Sequence, residues 1–95
     1  MGLNGTESGE RVVVTRSPAV TLERMGEDAV LYDRRSGRAH VINGAAARLW
    51  DLCEGSPELE ELAQAFGAVH ALPAAAVLDD VAATVAEFRS LGLLA

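Results

Sequence analysis

The spacing of hydrophobic positions changes partway along this chain. In "AVTLER", residues 19–24, Val20 and Leu22 alternate with polar neighbours; "AVLYDR", residues 29–34, is rich in strand formers, and "GED" at 26–28 supplies the turn between them. The "RRSG" stretch ending at Gly37 is a second turn. After it "RAHVI", residues 38–42, reads as a third strand with His40 and Ile42 on one face and Ala39 and Val41 on the other. The alternation predicts a three-stranded antiparallel meander.

Beyond Asn43 the period becomes helical. Asn43 is a good N-cap for an alanine-rich first helix over about 44–53, with Gly55 as its stop. "SPELEELAQAFG" suggests Ser56 as the next cap, Pro57 at the first helical position, and Leu59, Leu62, Ala63 and Phe66 on the buried face, with Gly67 ending the helix. A third helix opens at Pro73 and closes near Leu91 before Gly92. Val77, Val81, Val85 and Phe88 form its buried stripe, Leu78 and Ala82 flank them, and Asp79, Asp80, Glu87 and Ser90 face away. The expected fold class is α+β: a three-stranded antiparallel sheet followed by three helices, an arrangement shared with winged helix-turn-helix domains. Residues 1–17, rich in Gly, Ser, Thr and Glu apart from Val12 to Val14, are expected to form a flexible N-terminal arm, and residues 18–95 the folded domain.

Composition narrows the function. Ninety-five residues make one small domain with little room for a deep active site. Hydrophobic residues make up 49% of the chain and aromatics only 4%, so the core is built from Val, Leu and Ala rather than from rings. No apolar run reaches the roughly 20 residues of a membrane span, and the N-terminus lacks the pattern of a secretory signal, so a cytoplasmic location without membrane contact is expected. Cys53 is the only cysteine and excludes an internal disulfide. His40, His70 and Cys53 show no close metal-ligand spacing, no phosphate loop leads from a strand into a helix, and Asp79 and Asp80 point about 100° apart on a helix. Neither catalytic residues nor a metal or cofactor are expected: the chain reads as a binding module, not an enzyme.

Charge then weighs the kind of partner. All eight basic residues are arginines, and seven of them lie between Arg11 and Arg48, against four acids there, which makes that region about +3. From Asp51 onward eight acids stand against Arg89 alone, about −7. The helices that would enter a DNA groove therefore repel phosphates, and a winged-helix transcription regulator, the alternative the architecture allows, is disfavoured.

Three pieces, in order, carry a resemblance: "VLYDRRSGRAHVINGAAARLWDLCEG", "LEELAQAF" and "DVAATVAEFRSLGLL". The most specific features are Ile42, Asn43 and Ala46 at the strand-to-helix junction, Leu52 and Gly55 at the end of the first helix, and Asp80, Val81 and Gly92 to Leu94 at the close. From about residue 19 to 94 the chain resembles the PqqD-like family, the leader-peptide recognition elements of ribosomally made, post-translationally modified peptides. The resemblance implies that a precursor's leader adds as a strand beside the third strand, in a groove walled by the third helix. Transferred to this sequence, the implied contacts are Arg38, Ala39, His40, Val41 and Ile42 on the strand and Leu78, Val81, Ala82 and Val85 on the helix. Position 40, often a large aromatic in such proteins, is His here. The implied partners are a precursor leader peptide and a modifying enzyme such as a leader peptidase or cyclase. Among such pathways, the separate recognition proteins of lasso-peptide biosynthesis are the expected type.

Overall fold

The computed structural model describes residues 12–95. Three strands, β1 (Val20–Met25), β2 (Asp28–Asp33) and β3 (Arg38–Ile42), are followed by three helices, α1 (Gly44–Leu52), α2 (Leu59–Val69) and α3 (Ala74–Ser90). The sheet is antiparallel in the order β1-β2-β3, as the alternation predicts. Register pairs Leu22 with Leu31 and Leu31 with His40, so the inner face gathers Leu22, Ala29, Leu31, His40 and Ile42. Leu31 and Ala29 are fully buried there. A register slip of one residue would move this whole set to the solvent face, which is why the apolar pattern fixes the pairing.

The helices cover that face. Leu49, Trp50, Leu62, Val77, Val81, Val85, Phe88 and Leu93 join Leu31 in one core, and Trp50 meets Phe88 edge to face with ring centroids 5.4 Å apart. The stripe expected on α3, Val77, Val81, Val85 and Phe88, is the buried one. A Schellman motif ends that helix: Leu93 N–H donates to the Phe88 carbonyl and Gly92 N–H to that of Arg89, both at 3.0 Å. The motif turns Leu93 back into the core beside Phe88.

Three expectations differ from the structure. Residues 12–17 belong to the expected arm, yet they run between the α1–α2 link and the end of the chain. Val14 N–H donates to Pro57 O and Leu59 N–H to Val12 O, both at 2.8 Å, while Ser17 N–H donates to Leu93 O at 3.0 Å. Val14 has no exposed surface, so packing begins before the expected boundary at residue 18; residues 1–11 of that arm lie outside the described residues. The same pairing moves the cap of α2. Pro57 and Leu59 are held in the bridge to Val12 and Val14, so Glu58 rather than Ser56 caps the helix, in a capping box with Glu61. Gly67, finally, lies inside α2, which continues to Val69.

Candidate functional site

The site is built where β3 leaves the sheet and α1 begins. Asn43 caps α1, its Oδ1 accepting the Ala46 N–H at 2.8 Å while its carbonyl accepts that of Ala47 at 2.9 Å. Gly44 follows because a Cβ there would stand 2.8 Å from the Glu27 carbonyl oxygen, in the turn between β1 and β2. The strand therefore turns into the helix within one residue, and β3 is pinned at its C-terminal end. At its other end, Asp33 accepts the Arg35 N–H at 2.9 Å and the Ser36 hydroxyl at 3.2 Å. The hydrogen bond from the Arg35 backbone is the largest influence holding the Asp33 carboxyl below its ordinary pKa; burial opposes it.

β3 is an edge strand, and its free side can be identified. Arg34 N–H donates to Ala19 O at 3.0 Å, continuing the β1–β2 register by one residue, so Ala19 and Arg34 form a hydrogen-bonded pair. Alternation makes Thr21–Tyr32 and Glu23–Val30 the next such pairs. Ala29, Leu31 and Asp33 consequently direct their backbone groups to their β3 partners Ile42, His40 and Arg38. The N–H and C=O groups of Ala39 and Val41 point away from the sheet.

Beside this open edge lies a groove of about 690 Å³ between β3 and α3. Ala39 to Ile42 form its strand side, and Asp80, Val81, Thr84, Glu87, Phe88 and Leu91 its helix side. Phe66 from α2 and Leu49 from α1 contribute apolar surface, with Asn43, Ala45 and Ala46 at the turn. The Arg35 guanidinium donates to the Gly92 carbonyl at 3.0 Å, which brings the C-terminal end of α3 to the β2–β3 turn. α3 thus runs opposite to β3, with Leu91 towards the Arg38 end and Asp80 towards Asn43.

Of the residues the sequence singles out, the structure brings Ala39, His40, Val41, Ile42 and Val81 together on the groove. Arg38 is exposed at the start of β3, outside the groove lining. Leu78 and Ala82 lie elsewhere for a geometric reason: two positions before Asp80 and Thr84, they sit about 200° round the helix from the groove row. Val85 is buried in the core. Thr84, Leu91 and Phe66 were missed as groove residues, as were the two carboxylates. Their signal is the i, i+4, i+7, i+11 row of Asp80, Thr84, Glu87 and Leu91, which flanks the buried stripe on one side. Among the described residues no group of His, Cys, Asp or Glu could hold a metal ion. Cys53 is buried, and desolvation pushes its thiol up to about 11, with Arg16 opposing, so it is no nucleophile.

Among the described residues, the geometry offers a preformed cleft beside a strand edge with no partner strand. No curated protein matches the sequence. A solved structure described as "TbiB1 in Complex with the TbiA(beta) Leader Peptide" has the same fold, with a TM-score of 0.72 and 22% identity over 84% of this chain and 93% of that one. Residues 28–94 match the family described as Coenzyme PQQ synthesis protein D, PqqD. That match takes in β2, the groove strand and all three helices, and the chain belongs to the PqqD family, whose members bind rather than catalyse.

Proposed function

We propose that this chain recognises the leader segment of a ribosomally made precursor peptide and presents it to a modifying enzyme, such as a leader peptidase or cyclase. The observation that carries the reading is the outward-facing backbone of Ala39 and Val41 beside a cleft floored by Leu49, Phe66, Val81 and Phe88. Strand addition supplies main-chain hydrogen bonds for affinity and pockets for alternate side chains for selectivity. TbiB1, which shares the fold, holds a leader peptide. Because Asn43 and the capped start of α1 fix β3 before a ligand arrives, the strand side of the cleft has little ordering cost to meet. A short leader held by one strand and one helix should bind with a dissociation constant on the order of micromolar. Within this class we assign the chain to a lasso-peptide pathway acting in the cytoplasm.

The test begins by reading the genes beside the one encoding this chain for a short precursor. Its synthetic leader, titrated into isotope-labelled protein, should shift the amides of residues 38–43 and of the groove side of α3. Shifts centred on the exposed residues of α2, such as Glu60 and Gln64, would place the partner on another face. A neighbouring macrolactam-forming cyclase supports the lasso assignment, and its absence beside a different modifying enzyme removes it.

A further inference from the structure

The groove has two carboxylates on its helix side that the fold does not use. Asp80 and Glu87 are exposed, and neither side chain has an ion-pair or hydrogen-bond partner among the described residues. The hydroxyls of Thr84 and Ser90 bond only their backbone carbonyls. At 1.5 Å per residue the two acids stand about 10 Å apart along α3, on one face. Arg89 is the only basic residue of α3 and lies about 200° round the helix from Glu87, so it does not neutralise this row. Between the acids on this row stands Thr84, its hydroxyl turned to the Asp80 carbonyl, and the floor beside the row is apolar: Val81 and Phe88 are almost fully buried, and Ile42 lines the groove from β3.

A strand paired with β3 has a definite pattern to meet this surface. Its alternate side chains, those opposite His40 and Ile42, face α3, and successive members of that set stand about 6.6 Å apart. The middle one of three sits over the apolar floor. The outer two span about 13 Å and can lean inward to carboxylates about 10 Å apart, given the length of a lysine or arginine stem. Those stems would also cover the rims of Val81 and Phe88 while their charged ends stay hydrated. Because the acids are on the rim, pairing them requires little desolvation.

We infer, on the strength of the strand-addition reading above, that the groove selects a leader segment whose helix-facing side chains run basic, apolar, basic, in the pattern basic-x-apolar-x-basic. Asp80 and Glu87 are its specificity residues. They act on the charge of the ligand and not on the stability of the fold. Exposed charge pairs are individually weak, so removing both should lower affinity about five- to tenfold and flatten the salt dependence of binding.

The experiment uses random twelve-residue peptides displayed on phage, selected in parallel on the parent protein, on Asp80→Asn/Glu87→Gln and on Val41→Pro, each checked for unaltered thermal unfolding. The expected result is that parent-selected peptides carry Lys or Arg at two positions four apart with an apolar residue midway. The most enriched peptide, made synthetically and measured by calorimetry, should bind the doubly neutralised variant about five- to tenfold more weakly. Peptides that depend on an intact Val41 but show no basic bias, or that bind parent and doubly neutralised protein equally, would overturn the charge assignment and leave strand addition standing. Selection yielding the same peptides on parent and Val41→Pro would remove strand addition and this inference with it.

Discussion

Proline at one of two adjacent positions on β3 should abolish binding and at the other should damage the fold. The outward backbone groups belong to Val41 and the inward ones to His40, which pairs with Leu31. Val41→Pro removes an N–H that no neighbouring strand uses, and its ring occupies the space an added strand must approach. The docked peptide would lose one net hydrogen bond, about 1 kcal/mol, and keep an unpaired carbonyl that costs about 1–3 kcal/mol. The sum corresponds to a loss of affinity of roughly thirtyfold to several hundredfold, while the unfolding midpoint moves little. His40→Pro removes the donor to the carbonyl of Leu31, a residue with no exposed surface, and so costs about 1–3 kcal/mol of stability. For a domain of this size each kcal/mol shifts Tm by about 4–8 °C. Val41→Ala keeps the backbone donor; the side chain is 70% exposed, so its loss leaves stability unchanged and costs about 1 kcal/mol of binding or less. Peptide calorimetry and thermal unfolding on all three variants give the answer. A folded Val41→Pro protein that binds like the parent, or a His40→Pro protein with parental Tm and lost affinity, would refute the assigned alternation.

Gly67→Ala should destabilise the protein by about 1–2 kcal/mol despite alanine's better helix propensity, because its Cβ would stand 2.5 Å from the Leu72 carbonyl oxygen in the α2–α3 link; a raised Tm would show that the link yields freely. The depressed pKa of Asp33 means that its contribution to stability is complete above its ordinary pKa near 4 and disappears as pH falls through the lower folded value. Asp33→Asn should therefore be less stable at neutral pH and lose less stability on acidification, as denaturant unfolding across that range will test. Cys53, raised to about 11 by burial and 1% exposed, should resist an aromatic disulfide reagent at pH 8 in the native state and react at once in denaturant; rapid native reaction would mean the core opens readily.

The parts of this fold legible in the sequence are those set by short-range periodicity. Alternation in "AVTLER" and "RAHVI" identifies the strands, Asn43 marks its cap, and the Val77, Val81, Val85 and Phe88 stripe identifies the buried side of α3. What escaped depends on distant partners. Val14 is held by Pro57, more than forty residues away, which accepts its N–H, and packs into the core, and the same bridge displaces the α2 cap from Ser56 to Glu58. Gly67 looks like a helix stop, and only the Leu72 carbonyl against it reveals close approach. The strand side of the groove was implied by the resemblance to the PqqD-like family, and Ala39 to Ile42 do line the cleft. On the helix side, periodicity gives the buried stripe but not which flank faces β3. The contacts transferred from the resemblance include Leu78 and Ala82 on the opposite flank, whereas Asp80, Thr84 and Glu87 line the groove.

The groove and the core share residues, and that sharing explains why the open edge is an asset here. Leu49, Val81 and Phe88 line the groove and are also almost fully buried members of the core, so the floor of the cleft is a section of core surface left accessible from one side. Phe88 is fixed by Trp50 on one side and, through the Schellman turn, by Leu93 on another. Contacts that stabilise the fold therefore also set the width of the groove. An exposed strand edge beside apolar surface would ordinarily invite aggregation. On the proposed reading, the slot between β3 and α3 would take one extended segment, and the carboxylates on its rim would disfavour acidic sequences and a second copy of the acidic helical half of this chain. Substitutions in the floor, such as Phe88→Ala, will lower stability and binding together. Among the described residues, the exposed edge at Ala39 and Val41 and the rim charges at Asp80 and Glu87 are where substitutions would change recognition without changing the fold.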